Sequence, residues 1–162
     1  MLVIGIDPGL DGALATLSEG ILLDVMDIPT SAKTHGTGRE INPHILRDVL
    51  RSCTAGYPRI SIVIERVSAR PGQGVTSMFS FGRSLGVIEG VCAWITAGTA
   101  YVTPQKWKTS LGLKGKDKDA ARTLAMQLYP ESAGYLRRKK DVGRADAILI
   151  AHYWREKHVQ KQ

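Results

Sequence analysis

The chain has 162 residues, a length typical of one folded domain, and 43% of them are hydrophobic and 23% charged. Its apolar runs are too short to span a bilayer and its amino end has no basic leader, so we expect a cytoplasmic protein rather than a membrane or exported one. The formal net charge of +7 favours a polyanionic partner, although a solvated basic surface explains it equally well. We expect a single domain over residues 1–158 and a frayed tail at 159–162.

Three antiparallel strands are predicted at the amino end. A short apolar run ends in Asp7, a Pro-Gly turn follows, and a second apolar run covers residues 13–17. Residues 21–28 continue as the third strand. An acid at the carboxyl end of a buried strand lies where α/β sheets place their chemistry. The alternative is that Asp7 only caps the turn.

A second strand-end carboxylate follows in the middle of the chain. Residues 29–40 are predicted to form a polar loop, which either contacts a ligand or is simply mobile. A helix should begin at Asn42-Pro43, since Asn suits the N-cap and Pro the first helical position. The β-branched run at 60–65 is a strand, and it ends in Glu65.

A long helix with regularly spaced glycines is predicted over residues 75–95, after a loop at 68–74. Each glycine in a helix interior costs roughly 1 kcal/mol relative to Ala, so close approach of another backbone should offset that cost. The stripe faces either the sheet or a second subunit, and we favour the sheet. The glycines recur at every fourth position: Gly82, Gly86 and Gly90.

The third acid lies in the carboxyl-terminal part. Asp146 shares one helix face with Leu149, Ile150 and Tyr153, so it should point inward near the first turn, where the helix dipole favours an anion. A basic, turn-rich segment at 106–118 precedes this region. Residues 100–102 are predicted to form a strand, residues 117–128 a helix, and residues 130–140 a loop or short helix. The last helix is predicted to begin at residue 143 or 144 and to end at about residue 157.

Three carboxylates therefore occupy unusual places for surface acids. Asp7 and Glu65 end buried strands, and Asp146 faces inward on a helix. Burying three carboxylates together requires cations between them, and divalent metal ions with hard oxygen ligands are the natural solution. A basic protein with such an acidic centre is typical of a nuclease.

The motifs around these acids resemble those of a known family. Gly-Ile-Asp-Pro-Gly at 5–9, Ile64-Glu65, and the segment at 144–151 are similar to the three acidic motifs of RuvC-type Holliday-junction resolvases, in the RNase H-like superfamily. The resemblance implies an α/β fold with a mixed five-stranded sheet, three antiparallel then two parallel strands, and helices on both faces. It also implies a homodimer that nicks four-way junction DNA symmetrically, leaves 5′-phosphate and 3′-hydroxyl ends, and needs no small-molecule cofactor.

The resemblance further implies a metal site. Asp7, Glu65 and Asp146 match the ligands of two Mg²⁺ ions, for which Mn²⁺ should substitute. The family's fourth ligand falls on Gly143 here, and Asp141 is either its substitute or an N-cap. Lys118 matches a catalytic family lysine near the scissile phosphate, with a solvated helix-start lysine as the alternative.

Several residues are candidate DNA contacts under this interpretation. Phe79 is a possible stacking side chain, although its helical spacing suits a core residue equally well. The full candidate set is Arg70, Gln73, Phe79, Lys114, Lys116 and Lys118.

Rival interpretations remain. A sugar-kinase-like ATPase needs two related lobes and a second phosphate loop, and a chain of this length without repeats does not provide them. A non-cleaving junction scaffold of the same fold, and an RNase H-like nuclease acting on RNA-containing substrates, both stay open.

Overall fold

The structure, a computed structural model, describes residues 1–68, 72, 74–96 and 98–158, and only the backbone of residue 118. Two predicted DNA contacts, Arg70 and Gln73, lie outside the described residues, as does the predicted tail at 159–162. The side chain of Lys118 is likewise outside the description.

The centre of the fold is a five-stranded mixed sheet in the order β3-β2-β1-β6-β7. The first three strands are antiparallel, and β6 and β7 run parallel to β1. This confirms the predicted α/β sheet and its strand directions. The strands are β1 (Leu2–Asp7), β2 (Ala13–Ser18), β3 (Ile21–Asp27), β6 (Ile60–Glu65) and β7 (Thr99–Val102).

Helices cover both faces of the sheet. The helices are α1 (Pro43–Thr54), α2 (Val75–Ile95), α3 (Pro104–Ser110), α4 (Lys118–Leu128) and α5 (Val142–His158), with a 3-10 helix at Pro130–Gly134. Asn42 caps α1 as predicted, and its side-chain oxygen accepts hydrogen bonds of 3.1 Å from two backbone N–H groups.

Alternating side chains of β1 divide the core into two layers. Leu2, Ile4 and Ile6 pack with α1 and α2, whereas Val3 packs with α3, α4 and α5. At Gly5 the backbone of α5 lies directly on the strand, because a Cβ atom there would be 2.3 Å from the carbonyl oxygen of Ala147. Only glycine permits this approach, and it brings the start of α5 to the end of β1.

Three sequence predictions need correction. The predicted polar loop at 29–40 contains a two-stranded hairpin, β4 (Thr30–Ala32) and β5 (Arg39–Ile41), whose short polar strands lack an apolar alternation. The sequence pattern Thr103-Pro104 predicts only a turn, but these residues begin α3, with Thr103 as its N-cap and Pro104 in the first helical position. The last helix begins at Val142, slightly earlier than expected.

The predicted packing of the glycine stripe against the sheet is wrong. Within the described part of the chain, no atom lies within 4 Å of the Cβ positions of Gly82, Gly86 and Gly90. All three lie on the exposed side of α2, opposite the buried residues Ser84, Ile88 and Cys92. The cost of these glycines is therefore not offset by any contact among the described residues.

Among the described residues, no helix has the length and hydrophobicity that crossing a membrane requires.

Candidate functional site

The three predicted acids converge at one end of the sheet. Asp7 is the last residue of β1 and Glu65 the last residue of β6, and these strands are parallel neighbours. Asp146 lies in the second turn of α5, which packs on β1. Glu65 and Asp146 are both buried, with only 6% and 8% of their surface exposed.

The carboxylates influence one another electrostatically. The pKa of Asp7 is raised from 3.8 to about 8, first by burial and then by the negative charges of Asp146 and Glu65. The ammonium group of Lys108 acts in the opposite direction but does not outweigh them. Without a bound cation, Asp7 therefore keeps its proton at neutral pH.

Two residues of α3 hold the acids in place. The fully buried indole of Trp107 donates a hydrogen bond of 2.8 Å from Nε1 to Oε1 of Glu65. The ammonium of Lys108 lies 3.5 Å from Oδ2 of Asp146 and 4.9 Å from the centre of the Trp107 ring. Neither contact was predicted from the sequence. The available signal was the buried indole itself, since its N–H requires an acceptor.

A small hollow of about 70 Å³ opens beside Asp146. Lys108 and Lys116 line it, so one predicted DNA contact lies next to the acids. Lys114 is exposed on the same loop. The remaining lining residues are Leu113, Asp117, Ala121 and Val142.

Two further predicted residues have clear positions but untested roles. Lys118 is the first residue of α4, directly after the N-cap Asp117, whose carboxylate accepts a hydrogen bond of 2.9 Å from the backbone of Ala120. Phe79 lies in the second turn of α2 with 75% of its surface exposed, so it is not a core residue.

The position of the family's fourth acid is occupied by tightly packed backbone. A Cβ atom at Gly143 would lie 2.9 Å from the carbonyl oxygen of Asp11 and 3.0 Å from Oδ2 of Asp7. Residue 143 is therefore next to Asp7, as the resemblance implies, but a side chain there would force the turn after β1 to move. The packing selects glycine at this point.

Asp141, the proposed substitute, is bound to Arg138. Its carboxylate accepts hydrogen bonds of 2.9 Å from Nε and 2.8 Å from the backbone N–H of Arg138, and Nη2 lies 2.7 Å away. Burial opposes ionisation of Asp141, but these hydrogen bonds outweigh it and hold its pKa below the ordinary value. A metal-ligand role for Asp141 would require release from Arg138 and stays a prediction.

The donor set suits a hard divalent cation, although the side chains are not arranged around one. No group of three or more His, Cys, Asp or Glu residues within the described ranges has the geometry to hold a metal ion as it stands. Two carboxylates whose negative charges raise the pKa of a third nevertheless have, together with it, the chemistry that Mg²⁺ requires. A common ion would require the side chains of Asp7, Glu65 and Asp146 to rearrange around it.

None of the known protein-family models matches this chain. A curated relative, the chloroplastic Holliday junction resolvase MOC1 of Chlamydomonas reinhardtii, is 46% identical over 86 residues. The matched segment is 50% of this chain but only 9% of that protein. The chain therefore corresponds to a small part of its curated relative.

Solved structures with the same fold cover nearly the whole chain. RuvC from T. thermophilus, in complex with a Holliday junction substrate, matches with a TM-score of 0.66 at 16% identity, over 94% of this chain and 92% of RuvC. The yeast mitochondrial Holliday junction resolvase Ydc2 matches with a TM-score of 0.57 at 17% identity, over 98% and 79% of the two chains. The fold that the sequence motifs implied, that of RuvC, is confirmed.

Proposed function

We propose that this chain, which has the fold of RuvC, is an endonuclease that resolves four-way DNA junctions by metal-dependent phosphodiester hydrolysis. The observation that carries the proposal is the convergence of Asp7, Glu65 and Asp146, contributed by three separate elements, beside the lysines of α3 and the following loop. The segmental likeness to an algal resolvase supports the choice of substrate. Hydrolysis would leave 5′-phosphate and 3′-hydroxyl ends.

Asp7, Glu65 and Asp146 would hold the metal, Mg²⁺ by preference with Mn²⁺ as a substitute, and two ions in each site. When bound, these ions would supply charge neutralisation for the phosphate and a more acidic water molecule. Oxygen-only ligands favour such hard ions over Zn²⁺.

The chain's own groups have distinct tasks in this proposal. Trp107 orients the carboxylate of Glu65 through its indole N–H. Lys108 lies within reach of Asp146 and can bind a phosphate oxygen once the carboxylates are neutralised. Lys116, which lines the same hollow, and Lys118, the first residue of α4, are proposed to bind the scissile strand, and Lys118 is proposed to act near the scissile phosphate. Lys114 and Phe79 are proposed DNA contacts because both are exposed.

We further propose a homodimer that pairs through α2. Its exposed side carries the three glycines together with Val75 and Trp94, which are 84% and 65% exposed. These positions fall on one helical face, and their smooth backbone would allow two helices to approach closely. A dimer would present two active sites to the two strands that symmetric resolution cuts. The protein would act wherever such junctions form, in a bacterial or infected-host cytoplasm or in an organelle.

The main experiment incubates the purified protein with a mobile four-way junction, a linear duplex and an RNA–DNA hybrid, each with Mg²⁺ or Mn²⁺. We expect paired nicks in the junction that DNA ligase can reseal, and little cleavage of the other two substrates. Preferential cleavage of the hybrid would instead identify a nuclease that acts on RNA-containing substrates.

A variant separates cleavage from binding. Asp7→Asn should abolish cleavage while junction affinity is retained, whereas Asp48→Asn, a change of the same charge on exposed α1, should leave both unchanged. Equal loss of cleavage and binding in Asp7→Asn would contradict a metal-ligand role.

A non-cleaving junction scaffold is the second candidate, favoured by one observation. Gly143 replaces the fourth acid, and its tight packing leaves no room to restore one. Binding of the junction without nicks at any concentration of Mg²⁺ or Mn²⁺ would establish this alternative.

Light scattering of the protein bound to a junction tests the dimer. We expect two chains per junction, and Gly86→Gln should produce a folded monomer because the new side chain projects from the proposed contact face. Wild-type protein that binds the junction as a monomer would contradict the proposal.

A further inference from the structure

A groove of about 590 Å³ runs beside the active site on the side of the β4–β5 hairpin. Gly143 lines the groove and also lies against the carboxylate of Asp7, so the groove adjoins the site. The groove is therefore within reach of a polymer that occupies the active site.

The groove and the lysine-lined hollow lie on two sides of the first turns of α5. Val142 and Asp146 line the hollow that contains Lys108 and Lys116. Gly143 and Arg144 instead line the groove. Basic groups thus flank the acidic centre on both sides, which is the charge pattern expected for one strand of a polyanion crossing it.

The basic side chains of the groove are of two kinds. Some are held by several hydrogen bonds within the protein, and others are exposed and can bind a phosphate. Arg144 is structural, because it binds both carboxylate oxygens of Asp27 at 2.6 and 2.7 Å and also the carbonyl oxygen of Tyr135 at 3.0 Å. Arg138 is largely engaged by Asp141, as described above. Lys140 is exposed at the rim, within a run of four exposed cations at residues 137–140.

Arg39 is the available cation on the opposite wall. It pairs with Asp11 at 2.6 Å, but 53% of the Arg39 side chain and 90% of the Asp11 side chain are exposed. Exposed ion pairs of this kind contribute little to stability, so a DNA phosphate can replace Asp11 at low cost. Arginine also suits phosphate because its planar guanidinium group donates two parallel hydrogen bonds.

The hairpin holds Arg39 in a defined position. Its base is closed by a 2.9 Å hydrogen bond from the backbone N–H of Asn42 to the carbonyl oxygen of Pro29. Glu40, the next residue, forms an ion pair of 2.9 Å with Arg83 of α2. The hairpin is not part of the five-stranded sheet, so its attachment to α2 accounts for its orientation toward the groove.

We infer that the β4–β5 hairpin and residues 137–140 form a second DNA-backbone-binding surface, with Arg39 and Lys140 contacting phosphates of the strand that continues from the active site. The inference deepens the proposed function and rests on it for the identity of the nucleic acid. These two residues position the strand and take no part in hydrolysis.

The test compares two double variants that remove the same charge. Arg39→Gln/Lys140→Gln alters the groove. Arg59→Gln/Lys157→Gln is the control, because both of its residues are exposed at the other end of the sheet, where Arg59 adjoins the first residue of β1 and the end of α5 adjoins the turn at Gly20. Binding to a fluorescent four-way junction is measured in Ca²⁺ over a range of salt concentrations.

We expect the groove variant to bind about tenfold more weakly than the control at moderate salt, and its slope of log affinity against log salt to fall by about 2, since each lost phosphate contact removes roughly 0.9. An affinity and slope equal to those of the control would overturn the inference.

Cleavage by the wild-type protein is measured in parallel with Mg²⁺. If the wild type cuts the junction but the groove variant binds as the control does, only this inference fails. If the wild type binds the junction without cutting it, and the groove variant binds more weakly, the surface stands and the hydrolytic function fails. Wild-type protein that binds no DNA would overturn both.

Discussion

Helices α5 and α2 cover opposite faces of the same sheet, yet they are packed in very different ways. Both lie wholly within the described part of the chain. Eight of the 17 residues of α5 are buried, compared with three of the 21 residues of α2. One helix is enclosed by its neighbours, and the other presents most of its surface outward.

Glycine has a different physical role at each of the two helices. Gly5 allows the α5 backbone to touch β1, where any Cβ atom would collide with Ala147 and Ala151. The glycines of α2 meet nothing within 4 Å among the described residues. The same residue type therefore supports a permanent contact inside the chain in one case and leaves a smooth unoccupied face in the other.

This difference in burial matches the different tasks proposed for the two helices. Asp146 must stay near Asp7 and Glu65, so it is carried by the enclosed helix. A contact between two chains must form and separate, so the exposed helix is the suitable place for it. Four changes test this comparison, in order of decreasing expected effect.

Gly5→Val should disrupt the packing of α5 against β1. Its side chain would overlap the α5 backbone, so we expect loss of folding or a decrease of more than about 3 kcal/mol in the free energy of unfolding, measured by urea denaturation. A variant as stable as the wild type would mean that α5 does not contact β1 at this point.

Asp7→Asn should stabilise the metal-free protein, and increasingly so at higher pH. The folded-state pKa of about 8 exceeds the unfolded value of 3.8, so the wild type loses stability as pH rises from about 4 to about 8. The neutral side chain avoids this loss, and we expect a gain of at least about 2 kcal/mol at pH 8 in thermal or urea unfolding without metal, with an upper limit of about 6 kcal/mol from the difference between a pKa of 3.8 and one of about 8.

Added Mg²⁺ supplies the control for that measurement. It should stabilise the wild type and reduce the pH dependence, while Asp7→Asn should respond much less. A wild-type stability that does not change between pH 4 and pH 8 would contradict the electrostatic coupling of the three acids.

Trp107→Phe should loosen Glu65 while preserving an aromatic ring in the core. Loss of the indole donor should lower the free energy of unfolding by about 1.5 kcal/mol and slow junction cleavage. Trp154, near the carboxyl end of α5 and away from Asp146, provides the matched control, since Trp154→Phe should leave cleavage unchanged. Equal effects of the two substitutions would show that the hydrogen bond to Glu65 is unimportant.

Gly86→Ala should have the smallest effect, and of opposite sign to Gly5→Val. Alanine has space at this position and a higher helix propensity, so the free energy of unfolding of the monomer should increase by about 0.5–1 kcal/mol. The free energy of unfolding is measured at low protein concentration, where a dimer would dissociate and would not contribute to the measured stability. A decrease in stability would show that the α2 face is already occupied within the chain.

Much of the fold could be predicted because it depends on local patterns. A short apolar run, a β-branched run and the helical spacing of apolar residues identified β1, β6 and α5 respectively, and the acids at strand ends or on an inward helix face identified Asp7, Glu65 and Asp146. Such patterns lie within a few neighbouring residues, so they are readable without knowledge of the partner element.

The contacts that complete the site depend on packing between distant segments. Trp107 contacts Glu65 and Lys108 contacts Asp146 at sequence separations of 42 and 38 residues. Their relative placement follows from the angle at which α3 and α5 cross the sheet, which no local spacing records. The turn after β1 excludes a side chain at Gly143 for the same reason.

The amino-acid sequence alone thus determined which residues end strands, which face inward, and that three acids needed a common explanation. Only the tertiary structure decided that the α2 glycines face outward and that the β4–β5 hairpin borders the acidic centre. The physical reason is that periodicity reveals which side of an element is buried, whereas the identity of what covers that side depends on how whole elements pack together.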